Sequence, residues 1–516
     1  MIRPAHLLVS TAILAISFAC PQARAATQDE ALLKQQLQRL ADRLDSVERR
    51  NAELEAKLKA YVERPAATDG GIETRIQSLE SYNKRLENAL ETEGVSEREP
   101  ELASRLKAVE YNTLDIKKQA TVIDSIEGFS AGASFTSVGQ RASGVDTNGT
   151  TLNYRTDIAV TTPTVKTGDV DSKLFAHFRV GQGRGTSQHL TSFVGPNASS
   201  FQLGSAIPPE NSAVVLAEAY YRAEVPLPFG GFKPHSREKL TVNFGKMDPF
   251  AFFDQNAAAN DETRQFLASP FVHNALLDNP IAANVGADGF GFSPGARVAY
   301  RNDRSKNEPW GLSLGIFGAG RSADFSEGFR SPFLIAQAES TQRFGGLTGN
   351  YRAFLWQNGQ APAFLRDPSD LDTTLLRAHR GLGLNFDQRL GDYVTFFGRL
   401  GWASGEGLPF DRTLALGAEI GGSYWSRGAD AVGIAFGANR SSEAFRNGSA
   451  GVVDAAGNPV FGFAAQGAEK VAEIYYRFRV HQNFEISPDF QMIRDPAGNA
   501  AAKPIKLIGI RLQLTH

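Results

Sequence analysis

Between residues 248 and 264 the chain gathers groups suited to holding a polyhydroxylated molecule. Asp248, Asp254, Asn256, Asn260, Asp261, Glu262 and Arg264 lie among Phe250, Phe252 and Phe253, in a stretch without alternating order that follows the regular segment around Phe244. Carboxylates accept hydrogen bonds from hydroxyls, guanidinium groups donate them, and aromatic faces pack on the apolar side of a ring. A second set, Arg222, Arg352, Arg399 and Arg477, with Arg179, Arg479, Glu218 and Glu473, falls on the polar side of alternating segments. If the loop folds inward among these side chains, together they set the width and charge of a narrow aqueous passage. The competing expectation is an ordinary outer loop over a wall of arginines and glutamates paired across neighbouring strands.

Covalent chemistry has no comparable support. The eight histidines are scattered, and no His-Glu-x-x-His pair occurs. The one cysteine, Cys20, lies in the leader, so no disulfide or thiolate metal site is expected after cleavage. No cofactor is expected and the protein is not read as an enzyme. A net charge of -2 gives no basic excess for nucleic acid.

The elements that position these groups read as strands. Leu152, Tyr154, Thr156, Ile158 and Val160 alternate with Asn153, Arg155 and Asp157. Ala217, Ala219, Tyr221, Ala223 and Val225 alternate with Glu218, Tyr220, Arg222 and Glu224, and Ile508, Ile510, Leu512 and Leu514 alternate with Arg511, Gln513 and Thr515. Successive strand side chains point to opposite faces. Full charges recur on one face, aromatic pairs such as Phe396-Phe397 and Tyr475-Tyr476 recur near strand ends, and Gly is abundant at 50 residues. That combination predicts an all-β transmembrane barrel, antiparallel, of about sixteen strands over residues 127–516, wide enough to leave an aqueous channel.

Residues 1–25 read as a secretory signal peptide, with Arg3 and His6 before the apolar run Leu7–Ala19 and Ala23-Arg24-Ala25 at the cut. Lipidation at Cys20 is the less favoured reading. Residues 26–126 read as an α-helical coiled coil: Leu33, Leu37, Leu40, Leu44, Val47, Asn51, Leu54 and Leu58 recur at alternating steps of four and three. Pro65, Gly70-Gly71 and Pro100 divide it, and the helical pattern continues to about Ser125. Asn51 and Asn83 at core positions would fix register and copy number. The expected partners are outer-membrane lipid, small sugars or polar solutes, further copies of the chain (a homo-oligomer, a trimer favoured) and peptidoglycan. A helical hairpin folding on itself is the alternative.

Four ordered blocks then carry a resemblance. Phe244-Gly245-Lys246-Met247-Asp248 with Ala259-Asn260-Asp261-Glu262-Thr263-Arg264-Gln265-Phe266-Leu267 is one; Gly381-Leu382-Gly383-Leu384-Asn385-Phe386-Asp387-Gln388-Arg389-Leu390 is the second. Tyr424-Trp425-Ser426-Arg427 and Ala472-Glu473-Ile474-Tyr475-Tyr476-Arg477-Phe478 complete the set. They resemble the carbohydrate-selective porins of the OprB family. The resemblance implies a sixteen-stranded porin in the outer membrane of a Gram-negative-type bacterium, passing sugars down their gradient, with the coiled coil in the periplasm. Such barrels commonly end in Phe; this chain ends in His516. The alternative function is a general or anion-preferring porin whose coiled coil tethers the outer membrane to the cell wall.

Overall fold

The computed structural model describes residues 121–122, 129–145, 149–187, 190–200, 211–227, 236–279, 285, 291–305, 307–320 and 329–516. The expected signal peptide and nearly all of the expected coiled coil lie outside these residues. At one point they meet: Thr121–Val122, read as the end of a helix, is extended and pairs antiparallel with Ala131 and Ser130. Two β-branched residues beside an available strand favour the sheet over a final helical turn.

Sixteen long strands form the wall. They are β1 (Ser130–Ser143), β2 (Thr150–Thr161), β3 (Val170–Gln182), β4 (Ala213–Leu227), β5 (Glu238–Met247), β6 (Ser293–Asn302), β7 (Trp310–Phe317) and β8 (Phe333–Phe344). Then follow β9 (Leu347–Asp367), β10 (Asp370–Arg389), β11 (Val394–Gly405), β12 (Phe410–Gly421), β13 (Ala431–Ser441), β14 (Ala468–His481), β15 (Phe484–Arg494) and β16 (Ile505–Thr515). Each pairs antiparallel with the next, and β16 pairs with β1 from Lys506↔Ser143 to Thr515↔Ser134, so the sheet closes on itself. The last residue stays in the ladder: His516 N–H donates to Ala133 O and Ala133 N–H to His516 O.

The distribution of apolar and polar groups is the reverse of a soluble core. Leu152, Leu174, Leu355, Ile434, Ile474, Ile508 and Ile510 are exposed on the outside. Their strand neighbours Asn153, Arg155, His177, Glu218, Asn385, Arg399, Glu473 and Arg511 are buried on the inside. An apolar outer band around a polar interior is what a bilayer on one side and water on the other select. Ile434→Arg, in the middle of β13, is expected to cost about 2–4 kcal/mol at the bilayer midplane. Urea titration of the protein folded into vesicles measures it.

The longest connections, 183–212, 248–292 and 442–467, all lie at one end, and the connections at the other end are short. Gly345 and Gly346, at φ 60° and 82°, make the two-residue turn from β8 to β9, in the left-handed region that such hairpins require. At this short-turn end outward rings contact one another: Phe344–Tyr351 at 5.9 Å, Tyr351–Phe386 at 6.4 Å, Phe386–Phe396 at 5.9 Å and Trp425–Tyr476 at 6.1 Å. They form the aromatic girdle expected where barrel meets headgroups. The paired aromatics of the sequence divide, however. Tyr221, Phe396 and Tyr476 are partly exposed, whereas Tyr220, Phe397 and Tyr475 are buried inside.

Register shifts occur in several strand pairs, and the one in β4 moves a residue expected to face outward. His177 pairs with Glu218 but Phe178 pairs with Leu216, so Ala217 is the extra residue of a bulge in β4 and is fully buried rather than outward. The bulge leaves Glu218 and Arg222 on the inner side.

Candidate functional site

The segment after β5 turns into the barrel, and its anchors are residues of the opposite wall. Asp254 has φ 57°, a left-handed conformation that Asp tolerates better than most residues. Its carboxylate accepts from Asn274 N–H at 2.6 Å, Asn385 Nδ2 at 2.6 Å and Arg399 Nε at 3.1 Å. Its N–H donates to Gln337 Oε1 at 2.9 Å. Arg399 is 1% exposed and also donates to the carbonyls of Phe271 at 3.0 Å and Ala259 at 2.7 Å. Asn256 donates to Asn385 Oδ1 at 2.8 Å and to Phe386 O at 3.0 Å. These three residues therefore join loop to wall.

Further along, Glu473 on β14 accepts the N–H groups of Leu267 at 2.6 Å and Ala268 at 2.8 Å, just before the short helix α1 (Ser269–Val272). Arg511 on β16 donates to Glu262 O at 3.0 Å and Gln265 O at 2.6 Å. Phe266 sits between the inward rings of Phe397, at 5.5 Å, and Tyr475, at 5.0 Å. The inward half of each aromatic pair thus packs on the loop. The loop's attachment to the wall continues to Asn274, beyond the stretch that ends at Arg264.

A second inward loop, after β3, was not singled out by the sequence. Glu469 on β14 accepts from Phe193 N–H at 2.9 Å, Val194 N–H at 2.8 Å and Ser192 Oγ at 3.1 Å. It also accepts from Ala497 N–H in the connection to β16. Gln140 and Gln491 both donate to Pro196 O, at 3.0 and 2.9 Å. The two loops touch each other where Ala198 N–H donates to Leu267 O at 2.8 Å. Glu469 and Glu473, four residues apart on one strand, share a face and hold one loop each.

What remains open between the first loop and the wall of β1–β4 is a polar pocket. Asp248, Asn260, Asp261 and Glu262 line it from the loop, and Arg155, Asp157, His177, Arg179 and Glu218 line it from the strands, with Phe250 and Phe292 as aromatic faces. Arg155 bridges the two sides, 2.8 Å from Asp157 and 2.6 Å from Glu262. Asp157 further meets Arg179 at 2.7 Å and His177 at 2.9 Å, and His177 meets Glu218 at 3.3 Å. Burial pushes the His273 imidazole at the pocket's edge down to about 4, so it is neutral in near-neutral water.

The remaining expected residues lie elsewhere on the inner wall. Arg264 meets Glu485 at 2.6 Å, Arg479 meets the same carboxylate at 2.7 Å, and Arg477 meets Glu419 at 3.3 Å. Arg352 pairs with Asp387 at 2.9 Å, and Arg222 with Glu224 at 2.6 Å. The pocket residues not chosen from sequence, Arg155, Asp157 and His177, did stand on the polar parity of their strands; their height in the barrel was the missing information. Among the described residues no group of three or more His, Cys, Asp or Glu side chains could hold a metal ion.

Comparison with known proteins gives the same architecture. Residues 128–516 match the family model described as carbohydrate-selective porin, OprB family. The high-pH structure of Pseudomonas putida OprB superposes with a TM-score of 0.58 at 16% identity, covering 75% of this chain and 94% of that one. The structure of Pseudomonas aeruginosa OpdK with vanillate gives 0.41 at 10% identity, over 76% of this chain and 99% of the other. No curated protein sequence matches. Since the family match runs from just before β1 to the final residue, the chain belongs to the OprB family of carbohydrate-selective porins and is an outer-membrane porin for small solutes.

Proposed function

We propose that the pocket between the first inward loop and β1–β4 is the selecting constriction. Sugars are drawn through it passively, with no catalytic step. The observation that carries this reading is the Arg155–Glu262 contact at 2.6 Å, which ties wall to loop inside a pocket offering both donors and acceptors. A hexose presents hydroxyls that need both, and Phe250 and Phe292 offer ring faces for its apolar side. Asp248, Asn260, Asp261 and Glu262 are the loop's solute-facing residues in this reading. Asp254, Asn256 and Arg399 act through the loop they hold.

Planar-bilayer conductance titrated with neutral sugars tests it. The expected result is ohmic channels partly blocked by sugar. Glu262→Gln removes one of Arg155's two carboxylate partners and is expected to weaken the block by roughly tenfold, the lower end of the range for one charge-assisted hydrogen bond. Sugar block unchanged in Glu262→Gln and in Arg155→Gln would remove the pocket from the path.

A second reading is favoured by the cluster of Arg264, Arg477 and Arg479 around Glu485 and Glu419, which has one more cation than anion. It is a general pore preferring anions, and a reversal potential in a salt gradient separates it from neutral-sugar selectivity.

The heptads of residues 26–126 support a further role as a periplasmic neck that joins copies, a trimer favoured, and reaches the cell wall. Deleting residues 26–126 is expected to convert the detergent-solubilised oligomer to monomers while conductance per channel is retained. An unchanged oligomer on deletion leaves the barrel wall, not the neck, as the joining surface.

A further inference from the structure

The outer surface of the barrel carries a one-sided collar of cations. Arg141 on β1, Arg380 on β10, Arg412 on β12, Arg440 on β13, Arg494 on β15 and Lys506 on β16 are all exposed and all point outward by their place in the alternation, as does Lys470 on β14. Except for Arg380, each lies within three residues of the long-loop end of its strand; Arg380 sits beside Ser404, one residue from the end of β11, with Nε 3.4 Å from its Oγ. On β2, β4, β7 and β8 the outward positions nearest that end are Thr150 and Leu152, Val214, Ile316 and Leu334, without a cation.

Two pairings make the collar unusual. Arg412 stands directly opposite Arg440, and Lys470 directly opposite Arg494. Like charges facing each other across strands destabilise a sheet. Here they recur on adjoining strand pairs, and among the described residues only Lys470 has a carboxylate partner, Asp495 at 3.1 Å. The long loops place this end at the extracellular face. Just below Arg380 the surface falls into an apolar groove of about 900 Å³ lined by Val298, Leu314, Leu334, Leu355, Leu382 and Trp402, and Arg380 is the only charged residue on its border.

We infer that this collar binds the phosphate groups of anionic lipid headgroups in the outer leaflet, with an acyl chain in the groove beneath Arg380. Guanidinium groups take phosphate oxygens in pairs, and a phosphate between two opposed cations turns their repulsion into a shared contact. A free phosphate ion would meet the same cations without the groove. A second copy of this chain would bring no anion to this side unless its own loops supplied one.

The test uses the full-length protein in non-ionic detergent, titrated with bis-phosphorylated lipid A and followed by native mass spectrometry. Monophosphorylated lipid A and phosphatidylcholine serve as comparison probes and inorganic phosphate as competitor. The wild type is expected to retain the bis-phosphorylated lipid best, to lose it at high salt, and to keep it in millimolar inorganic phosphate. Arg412→Gln/Arg440→Gln/Arg494→Gln is expected to bind it weaker by roughly fivefold for each cation removed. Its conductance and sugar block stay as in the wild type, because none of the three faces the lumen, so the pore assignment is tested separately. Should the triple variant fail to show a heat-modifiable barrel, Arg440→Gln alone carries the comparison. Equal retention by wild type and variant, or equal binding of phosphatidylcholine, overturns the proposal. Displacement by inorganic phosphate also overturns it, in favour of a free-ion site, and a loss of dimers or trimers without loss of lipid overturns it in favour of a copy-to-copy surface.

Discussion

Arg399→Ala is expected to open the pore and to destabilise the barrel in one step. The guanidinium is buried, spans β11 to the loop, and donates to Asp254, Phe271 and Ala259. Removing it strands the Asp254 carboxylate, which is 0% exposed, in a site with no other cation partner described. Leaving one member of a buried ion pair costs about 3–5 kcal/mol. Asn385 and the Asn274 N–H still bind the carboxylate, which places the expected loss toward the lower part of that range. The loop between Asp254 and Phe271 then loses its tie to β11, and single-channel conductance should rise several-fold with loss of sugar block. Arg399→Lys is not expected to rescue either property, because one ammonium cannot reproduce the planar fork that serves the Asp254 carboxylate and the carbonyls of Ala259 and Phe271 together. Normal conductance with intact block in Arg399→Ala would mean that the loop is held by its aromatic packing alone.

The second large effect is expected from Glu469→Ala combined with Glu473→Ala. Each change leaves at least two buried backbone N–H groups without an acceptor: those of Phe193 and Val194 in one case, and of Leu267 and Ala268 in the other. An unsatisfied buried donor costs about 1–3 kcal/mol, so each single variant should be visibly weakened. In the double variant both loops lose their latch on β14, and the contacts between them, Ala198 N–H to Leu267 O and Ser269 N–H to Gly195 O, lose that support. Limited proteolysis of the folded, heat-modifiable protein is expected to cut within residues 183–200 and 255–279, where the wild type resists. Resistance equal to wild type would assign the hold to the wall groups Arg399, Arg511 and Gln491 instead.

The wall was legible in the sequence because a strand reports its two faces separately. Asn153, Arg155 and Asp157 against Leu152, Tyr154 and Ile158 need only the period of two to be sorted, and the structure buries one set and exposes much of the other. Where an extra residue enters, as at Ala217, that sorting slips by one position, and nothing in the local residue types marks the bulge. The aromatic pairs misled for a related reason. Both rings of Phe396-Phe397 look interfacial, but adjacent strand residues must face opposite ways, so one ring of each pair within a strand goes to the lumen.

The site was only half legible. That residues 248–264 break the alternation was visible; that the break leads inward depends on Arg399, Glu473 and Arg511, which lie between 135 and 263 residues away along the chain and meet the loop only once the barrel has curved round. Parity gives the side of the wall on which a residue stands and says nothing of its height. Hence Arg352 and Arg222 were grouped with Arg399, although they pair with Asp387 on the next strand and Glu224 on the same strand, and among the described residues neither forms an ion pair with the loop. The loop after β3 carries no charged cluster to draw attention; its hold is largely on backbone N–H and C=O groups, which every sequence has.

The seam between β16 and β1 sets a constraint on how this protein is made. β16 must zip along β1, about 360 residues earlier in the chain, Thr515 beside Ser134 and Lys506 beside Ser143. Until that moment the nascent sheet has two bare edges whose N–H and C=O groups invite any other strand, and ring closure of so long a span is slow. Both edges therefore have to be kept from other strands until the seam forms, and loss of the whole of β16 would leave β15 and β1 with unpaired edges rather than a slightly shorter pore.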